Sequence, residues 1–397
     1  LIASVGLTTG LVTGVSPGTA VITATQAAVT GVNAAATQSY SFTVTAAVIM
    51  PIIISSPVAQ MTRLGYDAIF SVTASGTSPT YQWNLNGSPI TAATSSSYKL
   101  LASVGNIGKY TCTVTNAAGS VTSAAALLVI NSTHIANISA RAVVGTSNLS
   151  VGFVTSGITP KSLLIRGDGP ALSTWGVGNF LASPLLTLYN SDGTSLATNS
   201  AWGGSTSLYS TFTQVGAFPL VSSSNDTAIL KTLNSGSYSA IVSSANGSTG
   251  SAVVEIYDAD PAGSTSRLVN ISAGGMVGSG SAIMTGGFVI SGNSTETVLI
   301  RVVGPTLSVF GVANVLLQPS LTLYNSAGSS IASNTVWGGG VALTQAMAQV
   351  GAFNLPSGSS DSALLITLTA GAYTVQASGL NGTTGNALVE IYEISSP

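Results

Sequence analysis

The sequence repeats itself. From Gly152 onward, residues recur 135 positions later with no gap. Leu164-Ile165-Arg166 returns as Leu299-Ile300-Arg301, and Gly169-Pro170 as Gly304-Pro305. The run from Leu186 to Ser191 returns as Leu321 to Ser326, Trp202-Gly203 as Trp337-Gly338, and Val254-Glu255-Ile256-Tyr257 as Val389-Glu390-Ile391-Tyr392. A unit this long is a whole domain rather than one coil of a solenoid. Two homologous domains are therefore expected, at 131–260 and 261–397, joined by Asp260-Pro261-Ala262-Gly263-Ser264.

Within and before the copies the chain reads as β throughout. Short β-branched runs such as Ala20–Ala24, Tyr40–Val44 and Tyr373–Ala377 alternate with turn pairs such as Asn86-Gly87, Asp192-Gly193 and Asn381-Gly382. Many short strands at regular spacing indicate sandwiches or barrels. The best helical run, Ala342 to Gln349, is short. The fold class expected is all-β, with tandem β-sandwich domains, the last two of them homologous jelly-roll-like copies. Only 5% of the 397 residues are charged, against about 25% in ordinary soluble chains. The mean hydropathy of +0.52 is spread among Gly, Ser and Thr. No apolar run reaches the roughly 20 residues of a spanning helix. With 9 basic and 11 acidic residues and no Lys/Arg cluster, nothing displaces counterions from nucleic acid or binds a charged membrane surface.

Residues 48–130 resemble an immunoglobulin-like domain of the kind strung along bacterial surface proteins. Tyr81-Gln82-Trp83 with Asn86-Gly87, and Gly108–Cys112 with Asn116–Gly119, carry the resemblance. It implies that Trp83 is the buried tryptophan of the third strand, that Tyr110 forms a tyrosine corner, and that Cys112 is a buried free thiol packed near Val72 and Trp83. Val72 stands where a partner cysteine would be. Residues 1–47 resemble the second half of a group-two bacterial Ig-like domain, through Gly10–Thr25. The chain begins without Met or a signal peptide, so earlier strands are expected ahead of Leu1. About three strands are expected here, including Gly18–Thr25 and Ser39–Val44. The tandem copies resemble C-terminal repeat domains of large secreted bacterial proteins. Their back halves are loosely similar to pre-peptidase C-terminal sandwiches, through Leu186–Gly193 and Gly236-Ser237-Tyr238.

Candidates for chemistry are few. One His and one Cys support neither a Ser-His-Asp site nor a zinc site, and His134 lies in a linker-like stretch. No cofactor, metal or catalytic residue is expected. Arg166/Arg301 and Glu255/Glu390 recur inside apolar runs, and a charge there is usually paired. Arg166 is therefore expected to pair with Glu255, and Arg301 with Glu390, with Asp226 and Asp361 as turn or end caps. Arg166-Gly167-Asp168 spells an integrin-type tripeptide that the second copy lacks. Asp258 and Asp260 are the one local acid pair near the linker, sparse for calcium. Trp202 and Trp337, on Gly-rich stretches, are candidates for a glycan or interface contact, or for plugging the end of a sandwich.

These features point to a non-enzymatic, extracellular or cell-surface structural protein. It would polymerise, with strand or face complementation at residues 1–47 linking chains. An adhesin or carbohydrate-binding stalk, and the accessory region of a larger secreted enzyme, are the alternatives.

Overall fold

The computed structural model describes every residue except 1, 7, 8, 146, 262, 263 and 395–397. Ala262 and Gly263 of the expected linker thus lie outside the described residues. The chain forms two compact units, one of residues 1–61, 67–101 and 105–129, the other of 62–66, 102–104 and 130–397.

The first unit opens with two separate strand pairs rather than three strands. β1 (Ala3–Val5) pairs with β2 (Val12–Gly14), and β3 (Gly18–Gln26) with β4 (Ala36–Val44). Ala20 stands opposite Phe42 and Ile22 opposite Tyr40, as the period-two alternation dictates. No described residue from 2 to 50 is buried. The immunoglobulin-like part follows with β5 (Ile52–Ser55), β6 (Gln60–Thr62), β7 (Asp67–Ser71), β8 (Thr73–Ser75), β9 (Thr80–Leu85), β10 (Ser88–Pro89), β11 (Ser97–Leu101), β12 (Gly108–Asn116), β13 (Gly119–Thr122) and β14 (Ala126–Ile130). β12 runs between β9 and β14, while β7 pairs with β11 and β8 with β5. The chain changes sheets at Val72, which is buried with Phe70, Trp83, Tyr110, Cys112 and Leu128. Cys112 faces Trp83 across the β9–β12 ladder, and burial pushes its thiol pKa up. The Tyr110 hydroxyl donates to Asn106 O at 2.7 Å. Tyr110 is pushed up to about 12, chiefly by burial.

The second unit contains both copies. Copy 1 supplies β15 (His134–Val144), β16 (Leu149–Ser156), β17 (Lys161–Asp168), β18 (Pro184–Asn190), β19 (Ser195–Asn199), β20 (Thr227–Leu233), β21 (Gly236–Ser244) and β22 (Gly250–Asp258). Copy 2 supplies β23 (Arg267–Val277), β24 (Met284–Ser291), β25 (Glu296–Val303), β26 (Pro319–Asn325), β27 (Ser330–Asn334), β28 (Ser362–Leu368), β29 (Gly371–Gly379) and β30 (Gly385–Glu393). The copies are distinct in sequence, but the sheets run through both. One eight-stranded sheet has the order β20-β17-β22-β15-β24-β29-β26-β27, the other β19-β18-β21-β16-β23-β30-β25-β28. Each copy gives four strands to each sheet, and the seam lies at β15–β24 and β16–β23.

The seam has the character of a two-fold contact. Ile138 faces Phe288, and Phe153 faces Ile271, the same pair with the copies exchanged. The physical reason is edge satisfaction. A lone copy would leave β15 and β16 as unpaired edges with apolar inner faces, and such edges seek a strand. A single cluster of buried side chains accordingly spans both copies, from Ile135 and Phe153 to Phe288 and Ile391.

Two short helices interrupt the β pattern. α1 (Thr206–Val215) starts at Ser205, whose side chain accepts from Leu208 N, and stops at left-handed Gly216. α2 (Val341–Gln349) coincides with the short helical run of the sequence.

Candidate functional site

The charges of the second unit lie where the strands bury them. In copy 1, Arg166 sits opposite Glu255 in the β17–β22 register. Its guanidinium is fully buried, 2.6 Å from Asp168 Oδ2 and 3.2 Å from Glu255 Oε2. It donates to Phe218 O at 2.7 Å and lies 4.0 Å from the Phe218 ring centroid. In copy 2, Arg301 donates from Nε to Glu390 Oε2 at 2.8 Å and from Nη1 to Phe353 O at 2.6 Å. Its guanidinium lies 4.3 Å from the Phe353 ring. Glu390 also accepts from the Tyr392 hydroxyl at 2.7 Å. The Arg-Gly-Asp tripeptide is thus a buried ion pair on a strand, closed to any receptor.

The copies differ by one carboxyl. Where copy 1 has Asp168, copy 2 has Val303. Two acids share Arg166, and neither Asp168 Oδ1 nor Glu255 Oε2 has a hydrogen-bond partner. Burial, opposed by Arg166, holds the Asp168 carboxyl well above the usual carboxylate range.

Asp226 and Asp361 cap loops. Asp226 Oδ1 accepts from Gly169 N at 2.8 Å and Ala171 N at 3.1 Å, and Asp361 Oδ1 from Gly304 N at 2.8 Å. Trp202 N and Trp337 N each donate to the carbonyl of that same aspartate at 2.8 Å. Both indoles are buried, at 4% and 7% exposed. Trp202 Nε1 donates to Val221 O and Trp337 Nε1 to Pro356 O. Both therefore plug their sandwich, the alternative to a glycan or interface contact. α1 and α2 cover the Gly-rich stretches, and Trp202 packs on Phe212 of α1.

A second charged cluster lies at one end of the seam. In copy 1, Lys161 Nζ is buried between Asp258 Oδ1 at 2.6 Å and Asp260 Oδ2 at 2.9 Å. Burial opposes ionisation of Asp260, but Lys161, Ser162 N and Ser264 outweigh it and hold the carboxyl below its usual range. The acid pair that might have held calcium is thus occupied by an ammonium. In copy 2 the equivalent positions are Glu296 and Glu393, two acids. Arg63 answers them, bonding Glu296 Oε2 at 3.0 Å and Glu393 Oε1, with Arg267 Nε 3.0 Å from Glu393 Oε1. Glu296 is pushed up to about 7, first by burial and then by Glu393, against the two arginines. A recess of about 360 Å³ here is lined by Arg63, Tyr66, His134, Asp258, Asp260 and Arg267 among others. Its charges are already paired with one another. Among the described residues no group of three or more His, Cys, Asp or Glu is arranged to hold a metal ion.

Sequence reasoning missed Trp175 and Phe310. They are equivalent positions, 67% and 60% exposed. Each rests on the phenylalanine that stacks on its copy's buried arginine, Trp175 on Phe218 and Phe310 on Phe353. The signal available was an aromatic before the recurring Gly176/Gly311, masked because its identity changes between copies.

No protein-family model and no curated protein matches the chain. Solved structures that match in part include the tandem Ig repeats of Dlar, with 20% identity, 23% of this chain, 56% of that chain and a TM-score of 0.20. Titin M4 in its trigonal form matches with 18% identity, 21% of this chain, 99% of that chain and a TM-score of 0.20. The four N-terminal Ig domains of Dscam1 isoform 7.44 match with 22% identity, 24% of each chain and a TM-score of 0.20. The match to Dlar spans about half of that chain. The architecture is all-β, built of tandem sandwiches.

Proposed function

We propose that this chain is a non-enzymatic, extracellular structural subunit that associates with copies of itself. The observation that carries the reading is the state of residues 2–50. They form strands with alternating apolar residues, yet none of the described ones is buried, and Val21 and Tyr40 are 63% and 67% exposed. Among the described residues β3 pairs only with β4, so the outer edges of that ribbon are open. An isolated two-stranded ribbon is marginal in water and invites a further strand or face. A neighbouring chain that supplies one makes a heterologous contact, which propagates rather than closes. The near-absence of charge supports association, since little repulsion keeps chains apart. Resemblance to bacterial surface domains supports an extracellular setting.

Electron microscopy and sedimentation of the full chain test this. Concentration-dependent linear assemblies are expected, with Ile22→Asp and Phe42→Asp abolishing them while the Cys112-containing core stays folded. A monodisperse monomer at all concentrations, or assembly indifferent to both substitutions, refutes it. The adhesin reading gains one specific observation, the exposed aromatic rings.

A further inference from the structure

We propose that Trp175 and Phe310 are stacking platforms for a neutral polysaccharide, one on each copy. Of the four tryptophans, three are buried and Trp175 alone is exposed. Its counterpart in copy 2, Phe310, is again an exposed aromatic. The exposed ring stands at the end of a short 3-10 helix, Pro170–Trp175 or Pro305–Phe310.

Both helices are held rigidly. The aspartate cap binds the first turn. At left-handed Gly176 and Gly311 the last turn closes: Gly176 N and Gly311 N donate to Ser173 O and Ser308 O, and Val177 N and Val312 N to Leu172 O and Leu307 O. Gly169 and Gly304 lie so close to the returning loop that an added Cβ would stand 2.0 Å from Leu181 O or Leu316 O. Phe180 and Val315 then bridge to Ser251 and Asn386. Beneath each ring lie a phenylalanine and a buried, ion-paired arginine. A ring fixed in this way loses little freedom when a ligand covers it.

The ligand's chemistry follows from what surrounds the rings. Between Gly169 and Asn225 the only charged residue is Asp192, and between Gly304 and Ser360 there is none. These loops offer exposed Ser173, Thr174 and Asn179 in copy 1, and Ser308, Asn314 and Gln318 in copy 2. A charged ligand finds no counter-charge, whereas a sugar presents a C–H face to the negative ring face and hydroxyls to the flanking hydroxyls and amides. The proposal does not rest on self-association, since a single chain would bind in the same way.

The test uses the full chain, Trp175→Ala, Phe310→Ala and the double variant, with insoluble cellulose, chitin and xylan, soluble dextran, and anionic alginate as probes. Retention on at least one neutral polymer is expected, weakened in each single variant and lost, by at least tenfold, in the double one. Trp175→Phe should retain most binding. Circular dichroism melts of the variants should match the parent, because the rings are exposed. No retention on any neutral polymer, equal binding by the double variant, or preference for alginate overturns the proposal. Loss of self-association in the double variant, with no change in polysaccharide retention, overturns it in favour of a protein interface.

Discussion

The two copies share one fold and one core but neutralise their buried charge differently. At the same pair of positions copy 1 places Lys161 with Asp258, and copy 2 places Glu296 with Glu393. The first pair is complete by itself. The second has to import cations, Arg267 from its own first strand and Arg63 from a segment 233 residues away. At the arginine centre the imbalance is reversed, for copy 1 carries the surplus acid, Asp168, and copy 2 carries Val303. Identical topology thus tolerates opposite electrostatics, provided each buried charge is answered from somewhere.

Removing the arginines should break this comparison most visibly. Arg166→Met strands two carboxyls, Arg301→Met one that keeps its bond from Tyr392. Breaking a buried pair costs about 3–5 kcal/mol. Urea unfolding should put Arg166→Met at the upper end of that range and Arg301→Met at the lower, and equal losses would show that Asp168 is inert. Exchanging the differing residue comes next. Val303→Asp should cost about 2–4 kcal/mol at neutral pH, since it buries a second acid on Arg301. Asp168→Val should cost about 1–3 kcal/mol, because Asp168 Oδ2 accepts from both Nε and Nη2 of Arg166 and only Glu255 is left beside the buried guanidinium.

The seam-end comparison is sharpened through pH. Glu296 is raised in the folded chain to about 7, above its unfolded value. Its contribution to stability is therefore complete below the unfolded value and is lost as the pH rises through about 7. Melting at pH 5.5 against pH 8 should show the parent gaining on the order of 2 kcal/mol on the acid side. Glu296→Gln should flatten that gain, and an unchanged pH profile would place the titration elsewhere.

What could be read in the sequence depended on whether a local pattern decided it. Trp83, Tyr110 and Cys112 were legible because alternation along two short runs fixes which way they face. Arg166 with Glu255, and Arg301 with Glu390, were legible because recurrence marked charges inside apolar strands. The continuous sheets were not, since the alternation of β15 and β16 is the same whether their free edges face water or the other copy. Trp202 and Trp337 look exposed among glycines until α1 and α2 cover them. The Lys161/Glu296 position escaped notice because its charge changes sign between copies, and Arg63 because its partners are remote in sequence.

The seam-end cluster has a mechanical consequence. β15 begins at His134 and β30 ends at Glu393, and Arg267 ties the two places, bonding Thr133 O at 2.8 Å and Glu393 Oε1 at 3.0 Å. The first and last strands of the double sandwich therefore share one end. A pull applied between residues 134 and 393 would load a few ion pairs before it loads the sixteen strands.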